Sequence, residues 1–300
     1  MTSVLTIESL RKLYGSFEAV RDVSFEVEEG EIFGILGPNG AGKTTTVECV
    51  QGLRRHDGGR VSVLDLDPRT HLAEIRSRIG SQLQEAALPD RIKVWEAIDL
   101  FGSLSREGPT ADELLTDWGL TDKRNARFGS LSGGQQQRLF VALALVNNPT
   151  LVFLDEMTTG LDPASRRIAS DLIRRIRERG ATVVLVTHFM DEAEALCDRL
   201  VVIDEGKVKA EGSPQQLIER YGGGVRVRFT ADGAGMSWLS DVAGVEEVAH
   251  DRGRYEVRGE GPLLAHVAAA LVAHGQAPID LRAERASLED VFLSLTGEAG

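Results

Sequence analysis

The sequence predicts an α/β protein built on a parallel sheet, with an antiparallel β subdomain ahead of it and a small α+β domain after it. Three observations lead there. Short apolar runs bounded by turn or cap residues recur at Glu31 to Leu36, Thr150 to Asp155 and Thr182 to Thr187, as in strands buried on both faces. Between the last two, Asp162-Pro163 can start a helix, Ile168, Leu172 and Ile176 recur on one face, and Gly180 ends it, so the stretch reads β-α-β. After the first run, a glycine-rich loop leads into a helix over Lys43 to Gly52, which is strand, loop, helix.

The remaining elements follow in order. Val4 to Ile7 and Val23 to Val27 alternate apolar and polar residues, the period of half-buried antiparallel strands. From about residue 84 to 148 the pattern is mainly helical, clearest at Val94 to Leu104 and Gln135 to Val146, with Asn147-Asn148-Pro149 as a stop. This predicts a helical insert between strands. Leu200 to Ile203, the turn Asp204-Glu205-Gly206 and Lys207 to Ala210 read as a hairpin closing the first domain. Gly222-Gly223-Gly224 then marks the expected boundary, giving domains at 1–221 and 222–300. Beyond it come alternating runs at Val225 to Phe229 and Tyr255 to Val257, a helix near Leu263 to His274, and an amphipathic end in which Leu288, Val291, Phe292 and Leu295 form one stripe. That stripe needs cover, from its own sheet or from a second subunit.

Composition narrows the function classes. With 300 residues and 42% hydrophobic content, the chain can bury a substantial core. Its formal charge of −12 argues against a nucleic-acid partner, because nonspecific affinity for phosphate backbones comes from Lys and Arg. Cys49 and Cys197 are too few for a disulfide framework and lack zinc-site spacing, so both read as buried, inert thiols. The opening MTSVLTIESLRKLYG does not read as a secretory leader, and no apolar run approaches the roughly 20 residues that span a bilayer. If the chain serves a membrane, another protein supplies the pore.

The chemistry is concentrated in two segments. Gly37-Pro38-Asn39-Gly40-Ala41-Gly42-Lys43-Thr44 fits G-x-x-x-x-G-K-[ST], the P-loop, in its strand-to-helix context, with Thr45 next along the helix. Small residues let successive N–H groups curl round phosphate oxygens, and the helix start adds the positive end of its dipole. Lys43 is expected at the β- and γ-phosphates of ATP, and Thr44 on Mg²⁺. Leu151 to Glu156 then brings two adjacent carboxylates to the C-terminal end of an apolar strand, where open α/β sheets bind ligands. Asp155 suits outer-shell coordination of Mg²⁺. Glu156 suits the orienting of an attacking water, since phosphoryl transfer depends on a positioned nucleophile. On its own the segment would read as a strand ending in a solvated acidic turn, and the P-loop upstream decides between the two.

Leu131-Ser132-Gly133-Gly134-Gln135 resembles the signature of ABC ATPases. By composition it is a capped turn, with Ser132 as N-cap and two glycines exposing N–H groups, which makes a second anion site. The resemblance spans about Val4 to Gly212 and implies the fold of a P-loop NTPase of the ABC ATPase type. It also implies a head-to-tail dimer in which each ATP lies between one copy's P-loop and the other's signature loop. Further positions match in the family's order. Tyr14 matches the aromatic that stacks on adenine, and Gln84 the glutamine that touches Mg²⁺ or water, although Gln82 has similar chemistry two residues away. Asp162 matches the loop crossing the dimer interface, besides being a helix cap, and His188 the histidine at the γ-phosphate. Met157 departs from the proline common after the glutamate and leaves that turn less rigid. Ser287 to Leu293 resembles the closing segment of bacterial drug- and antibiotic-export ATPases of the daunorubicin-resistance type. The resemblance thus implies a transport ATPase at the inner face of the cell membrane, partnered by a separate permease. The alternatives are a nonmembrane ABC ATPase of DNA repair or translation, whose long coiled coils or paired ATPase units are missing from this sequence, and a nucleotide sensor without catalysis, against which Glu156 and His188 argue.

Overall fold

The computed structural model describes residues 2–82, 87–105, 108–159, 161–231 and 235–297. The chain divides into two compact units, Met1–Pro214 and Gln215–Gly300.

The first unit opens with the long strands β1 (Ser3–Tyr14) and β2 (Phe17–Glu28), paired antiparallel from Ser3 with Glu28 to Tyr14 with Phe17 across a two-residue turn. Next come β3 (Ile32–Leu36), α1 (Lys43–Val50) and β4 (Gly58–Val63). Strand β4 returns to the other edge of β1, so the antiparallel sheet has the order β2-β1-β4. Helix α2 (Leu72–Arg78) and strand β5 (Ile79–Gln82) follow, and then the insert, with α3 (Val94–Gly102), α4 (Ala111–Asp117) and α5 (Gly133–Ala144). The chain then alternates β6 (Leu151–Asp155), α6 (Pro163–Glu178), β7 (Thr182–Thr187) and α7 (Met190–Leu196), and ends the unit with the hairpin β8 (Arg199–Asp204) and β9 (Lys207–Gly212).

The main sheet has the order β5-β6-β7-β3-β8-β9, parallel throughout except for the last strand. Strands β3, β6 and β7 are buried at every position, as their almost wholly apolar sequences require when both faces are covered. Helix α1 is shared between layers. Val47, Cys49 and Val50 join one apolar cluster with Leu5, Val20 and Phe25 of the antiparallel sheet and Phe33, Phe153 and Val184 of the parallel one. Phe25 and Phe33 stack with centroids 5.3 Å apart, fixing one sheet against the other. The helix that begins at the P-loop is therefore clamped on both sides, and its first turn has little freedom.

Both cysteines are buried, Cys49 within this core. Burial pushes the Cys49 thiol up to about 11 and raises that of Cys197 further. A thiol that is protonated and shielded does not react. Titration with an aromatic disulfide at pH 7.5 is expected to find no fast-reacting thiol in the native protein and both in guanidinium. A fast thiol in the native state would contradict this packing.

The second unit contains α8 (Pro214–Tyr221), β10 (Val225–Thr230), β11 (Val245–Asp251), β12 (Arg254–Gly259), α9 (Leu263–Ala273), β13 (Arg282–Arg285) and α10 (Leu288–Thr296). Its antiparallel sheet, β11-β12-β10-β13, packs Val227, Phe229, Tyr255 and Val257 against Leu263, Val267 and Leu271 of α9. The division between units falls at Pro214, ahead of the boundary expected at Gly222. The reason is local. Gly222 N donates to Ile218 O at 2.9 Å, and a Cβ on Gly222 would lie 2.7 Å from the Ala286 Cβ, so α8 runs into a close contact where a free linker was expected. Three residues of the α10 stripe, Leu288, Val291 and Phe292, are buried within the single chain, Leu295 is half-buried, and Asp290 on the same helix pairs with Arg226 of β10.

Candidate active site

Three neighbouring strands bring the predicted residues together. In register, Leu36 of β3 lies opposite Thr187 of β7, and Val186 opposite Asp155 of β6. The P-loop after Leu36, the acidic pair Asp155-Glu156 and His188 therefore emerge at one edge of the sheet, on its carboxyl side.

At two positions the P-loop backbone leaves no room for a side chain. A Cβ on Gly37 would come within 2.1 Å of the Ile203 carbonyl oxygen, and Gly42, at φ 99°, would place one 2.5 Å from the Ala19 carbonyl. Lys43 folds back over the loop, its Nζ donating to Gly37 O at 2.7 Å and Pro38 O at 3.0 Å. Burial lowers the Lys43 pKa, while Glu156 and Asp155 raise it. The ammonium is thus tethered by weak carbonyl acceptors and available to a stronger anion. Asn39, Gly40, Ala41, Gly42, Lys43, Thr44 and Thr45 line a pocket of about 510 Å³ together with Tyr14 and Glu156. Tyr14 is partly exposed at its mouth, with Lys12 Nζ and the Arg54 guanidinium each 5.5 Å from the ring centre.

Asp155 is buried behind Thr44, whose side chain it hydrogen-bonds, and its Oδ1 has no hydrogen-bond partner. Burial first, and the Glu156 charge next, push its carboxyl up to about 6. A buried acid with an orphaned oxygen, beside a hydroxyl and an open phosphate cradle, fits a hard cation that takes one or two protein oxygens and completes its shell from phosphate and water. Glu156 sits one residue past β6, at φ 48°, the left-handed region that a non-glycine residue adopts at some energetic expense. Its N–H donates to Val186 O at 2.9 Å, and its Oε1 lies 3.4 Å from His188 Nδ1. The His188 ring packs on Phe189, which Arg166 covers at 3.9 Å.

The other predicted residues lie elsewhere. Ser132 caps α5, its backbone N–H accepted by Gln135 Oε1 at 3.0 Å, and neither they nor Gly133 and Gly134 line the pocket. Asp162 caps α6, accepting from Ser165 N at 3.0 Å and Ser165 Oγ at 2.7 Å. Gln84 lies outside the described residues. Met157 is buried, so the turn after Glu156 is held by packing in place of a proline ring. Sequence reasoning missed Phe17, Glu48 and Arg54 in the pocket wall. Phe17 had a signal, because the Gly15-Ser16 turn places it opposite Tyr14. Glu48 and Arg54, an ion pair, had none.

The family model for the ABC transporter domain matches residues 20–159. The chain is 36% identical to the Nod factor export ATP-binding protein I of Cupriavidus metallidurans, over 99% of this chain and 98% of that one. It is 37% identical to a daunorubicin resistance ATP-binding protein of Streptomyces coeruleorubidus, over 97% and 94%. Among solved structures, a dimeric ATP-binding cassette in a post-hydrolysis state, bound to ADP and Pi, superposes with a TM-score of 0.63 at 28% identity, over 70% of this chain and 98% of that one. Full-length likeness joins the geometry of the P-loop pocket in one conclusion: the chain belongs to the ATP-binding proteins of ABC transporters, and it is an ATPase.

Proposed function

We propose that this ATPase is the motor of an exporter of drug-like, antibiotic or lipid-like molecules, working as a head-to-tail dimer on a separate permease at the inner face of the cell membrane. The observation that carries the catalytic half is Glu156, which shares the pocket wall with Lys43 and lies within reach of His188. Export rests on the relatives above, named for export or drug resistance and matched almost end to end. The same matches favour this reading over a nonmembrane ATPase of DNA repair or translation. Among the described residues, no helix is long and apolar enough to cross a membrane. The insert offers the permease a place to dock: Leu100, Phe101 and Leu104 are exposed beside a groove of about 430 Å³ whose wall includes Leu88, Phe140 and Leu143.

In the proposed reaction Lys43 and the P-loop N–H groups hold the β- and γ-phosphates, and Tyr14 stacks on the base. Thr44, Asp155 and Gln84 would hold Mg²⁺, which when bound neutralises charge on the phosphate oxygens. Glu156 accepts a proton from water as the water oxygen bonds to the γ-phosphorus. The bond from that phosphorus to the β–γ bridging oxygen breaks, and ADP leaves with the electron pair. His188 donates to the γ-phosphate oxygens and keeps the Glu156 carboxylate in line.

The dimer rests on a different observation. A Cβ on Gly133 or Gly134 would meet nothing within 4 Å, so the fold of one chain does not require glycine there, although each lowers helix stability by about 1 kcal/mol relative to alanine. What needs the space is the other copy's nucleotide, with Asp162 at the same interface. Gly134→Asp is expected to fold with an unchanged or slightly higher Tm, because an acid in the first turn of a helix is favourable. Its ATPase rate should fall by about 100-fold, since a carboxylate then faces the partner's γ-phosphate. Normal turnover in this variant would remove the composite site.

A further inference from the structure

A second cavity, also of about 510 Å³, opens beside the C-terminal end of α1. Its lining includes Arg54, Arg55, Arg69, His56 and Thr70 and contains no carboxylate, in a chain whose net charge is −12. Two of the arginines are oriented from outside the cavity. Asp67 holds Arg69 through Nε at 3.2 Å and Nη2 at 2.8 Å, and Glu48 holds Arg54. Each guanidinium has five N–H donors, so one carboxylate leaves donors to spare. Arg55 is exposed and makes no ion pair among the described residues.

An independent observation comes from His56. It is 5% exposed, and its Nε2 is buried with no hydrogen-bond partner. Buried polar atoms are nearly always paired, and an orphan marks a place where something should be supplied. Burial, and next the nearby Arg69 charge, lower the pKa of this ring. At neutral pH it is therefore an uncharged imidazole that can present one N–H. Guanidinium forks and an imidazole N–H are all donors, and what answers them together is an anion with several oxygens on one centre.

We propose that this cavity is a binding site for a small phosphate-bearing anion, held by Arg55, Arg69 and His56 and separate from the P-loop. Arg54 also lines the nucleotide pocket, so it is left intact in the test. The probe is inorganic pyrophosphate, titrated calorimetrically into the full chain carrying Lys43→Ala, which weakens the competing P-loop site. Binding is expected there, and it should weaken at least tenfold when Arg55→Ala and Arg69→Ala are added. Arg55→Glu alone, at an exposed position with no ion pair, checks the result without disturbing the Arg69–Asp67 turn and should cause a loss in the same direction. Phosphatidylcholine vesicles with and without phosphatidic acid form the second arm. Binding to phosphatidic acid that depends on the arginines, without a response to pyrophosphate, assigns the phosphate to a lipid headgroup; a response to pyrophosphate assigns it to a soluble ligand. If neither probe binds, or if binding survives the arginine substitutions, the proposal is overturned.

Discussion

Glu156→Gln is expected to lower ATP turnover by about 10³-fold while leaving ATP binding intact, within the range that removal of a general base produces. Glutamine has the same shape and tolerates the left-handed backbone as well as glutamate does, so the turn after β6 should survive. The substitution also removes the negative charge that helps raise the pKa of Asp155, and the local electrostatic strain falls with it. A variant that binds ATP and cannot turn it over should accumulate as an ATP-dependent dimer. Single-turnover hydrolysis and size-exclusion chromatography with and without ATP measure both effects. Turnover within a few-fold of the parent would show that another group activates the water.

Lys43→Ala carries the second large effect, and it falls on binding. The ammonium is tethered to two loop carbonyls in this structure, and in the proposed reaction it exchanges them for phosphate oxygens. Without it, the pocket keeps Asp155 and Glu156 and loses the cation that offsets them. ATP affinity is expected to fall by about 100-fold or more, and turnover with it, because a charge-assisted contact is replaced by net repulsion of the triphosphate. The fold should tolerate the change at about 1–3 kcal/mol, the range for leaving acceptors unpaired. Isothermal titration with ATP and thermal melting separate the two quantities. Unchanged affinity would mean that the backbone N–H groups alone hold the phosphates.

What the sequence disclosed follows from where local chemistry is demanding. Gly37 and Gly42 are fixed because a Cβ at either would come within 3 Å of other backbone, and such constraints leave a pattern in consecutive residues. Strands β3, β6 and β7 are apolar at nearly every position because both faces are covered, so they too could be read directly. The elements that escaped notice are weakly patterned. Strand β4 begins with Gly58-Gly59, which reads as a turn; β5 has four residues, of which Ile79 alone is a large apolar one; α2 buries only Ile75. The approach of Glu156 to His188 is of another kind. It arises from the parallel register of β6 with β7, which no local pattern encodes; the sequence assigns Glu156 to the attacking water from its place at a strand end, and His188 to the γ-phosphate only through the family resemblance. The Arg54–Glu48 pair in the nucleotide pocket belongs to the same class, since tertiary packing sets it beside Tyr14.

The position of β3 in the middle of the sheet also dictates the order in which the protein can become competent during synthesis. Its neighbours are β7 and β8, which begin at Thr182 and Arg199, so the strand that carries the P-loop leaves the ribosome long before either partner exists. The antiparallel hairpin β1–β2 can close at once, because its strands are adjacent in the chain. The nucleotide cradle, by contrast, must wait as an exposed apolar segment through the whole helical insert, in the way that nonlocal parallel pairing makes nascent chains slow and aggregation-exposed. A ribosome stalled before Asp204 would therefore display a chain that carries every P-loop residue and cannot yet grip ATP, and extending it through β8 would switch that grip on.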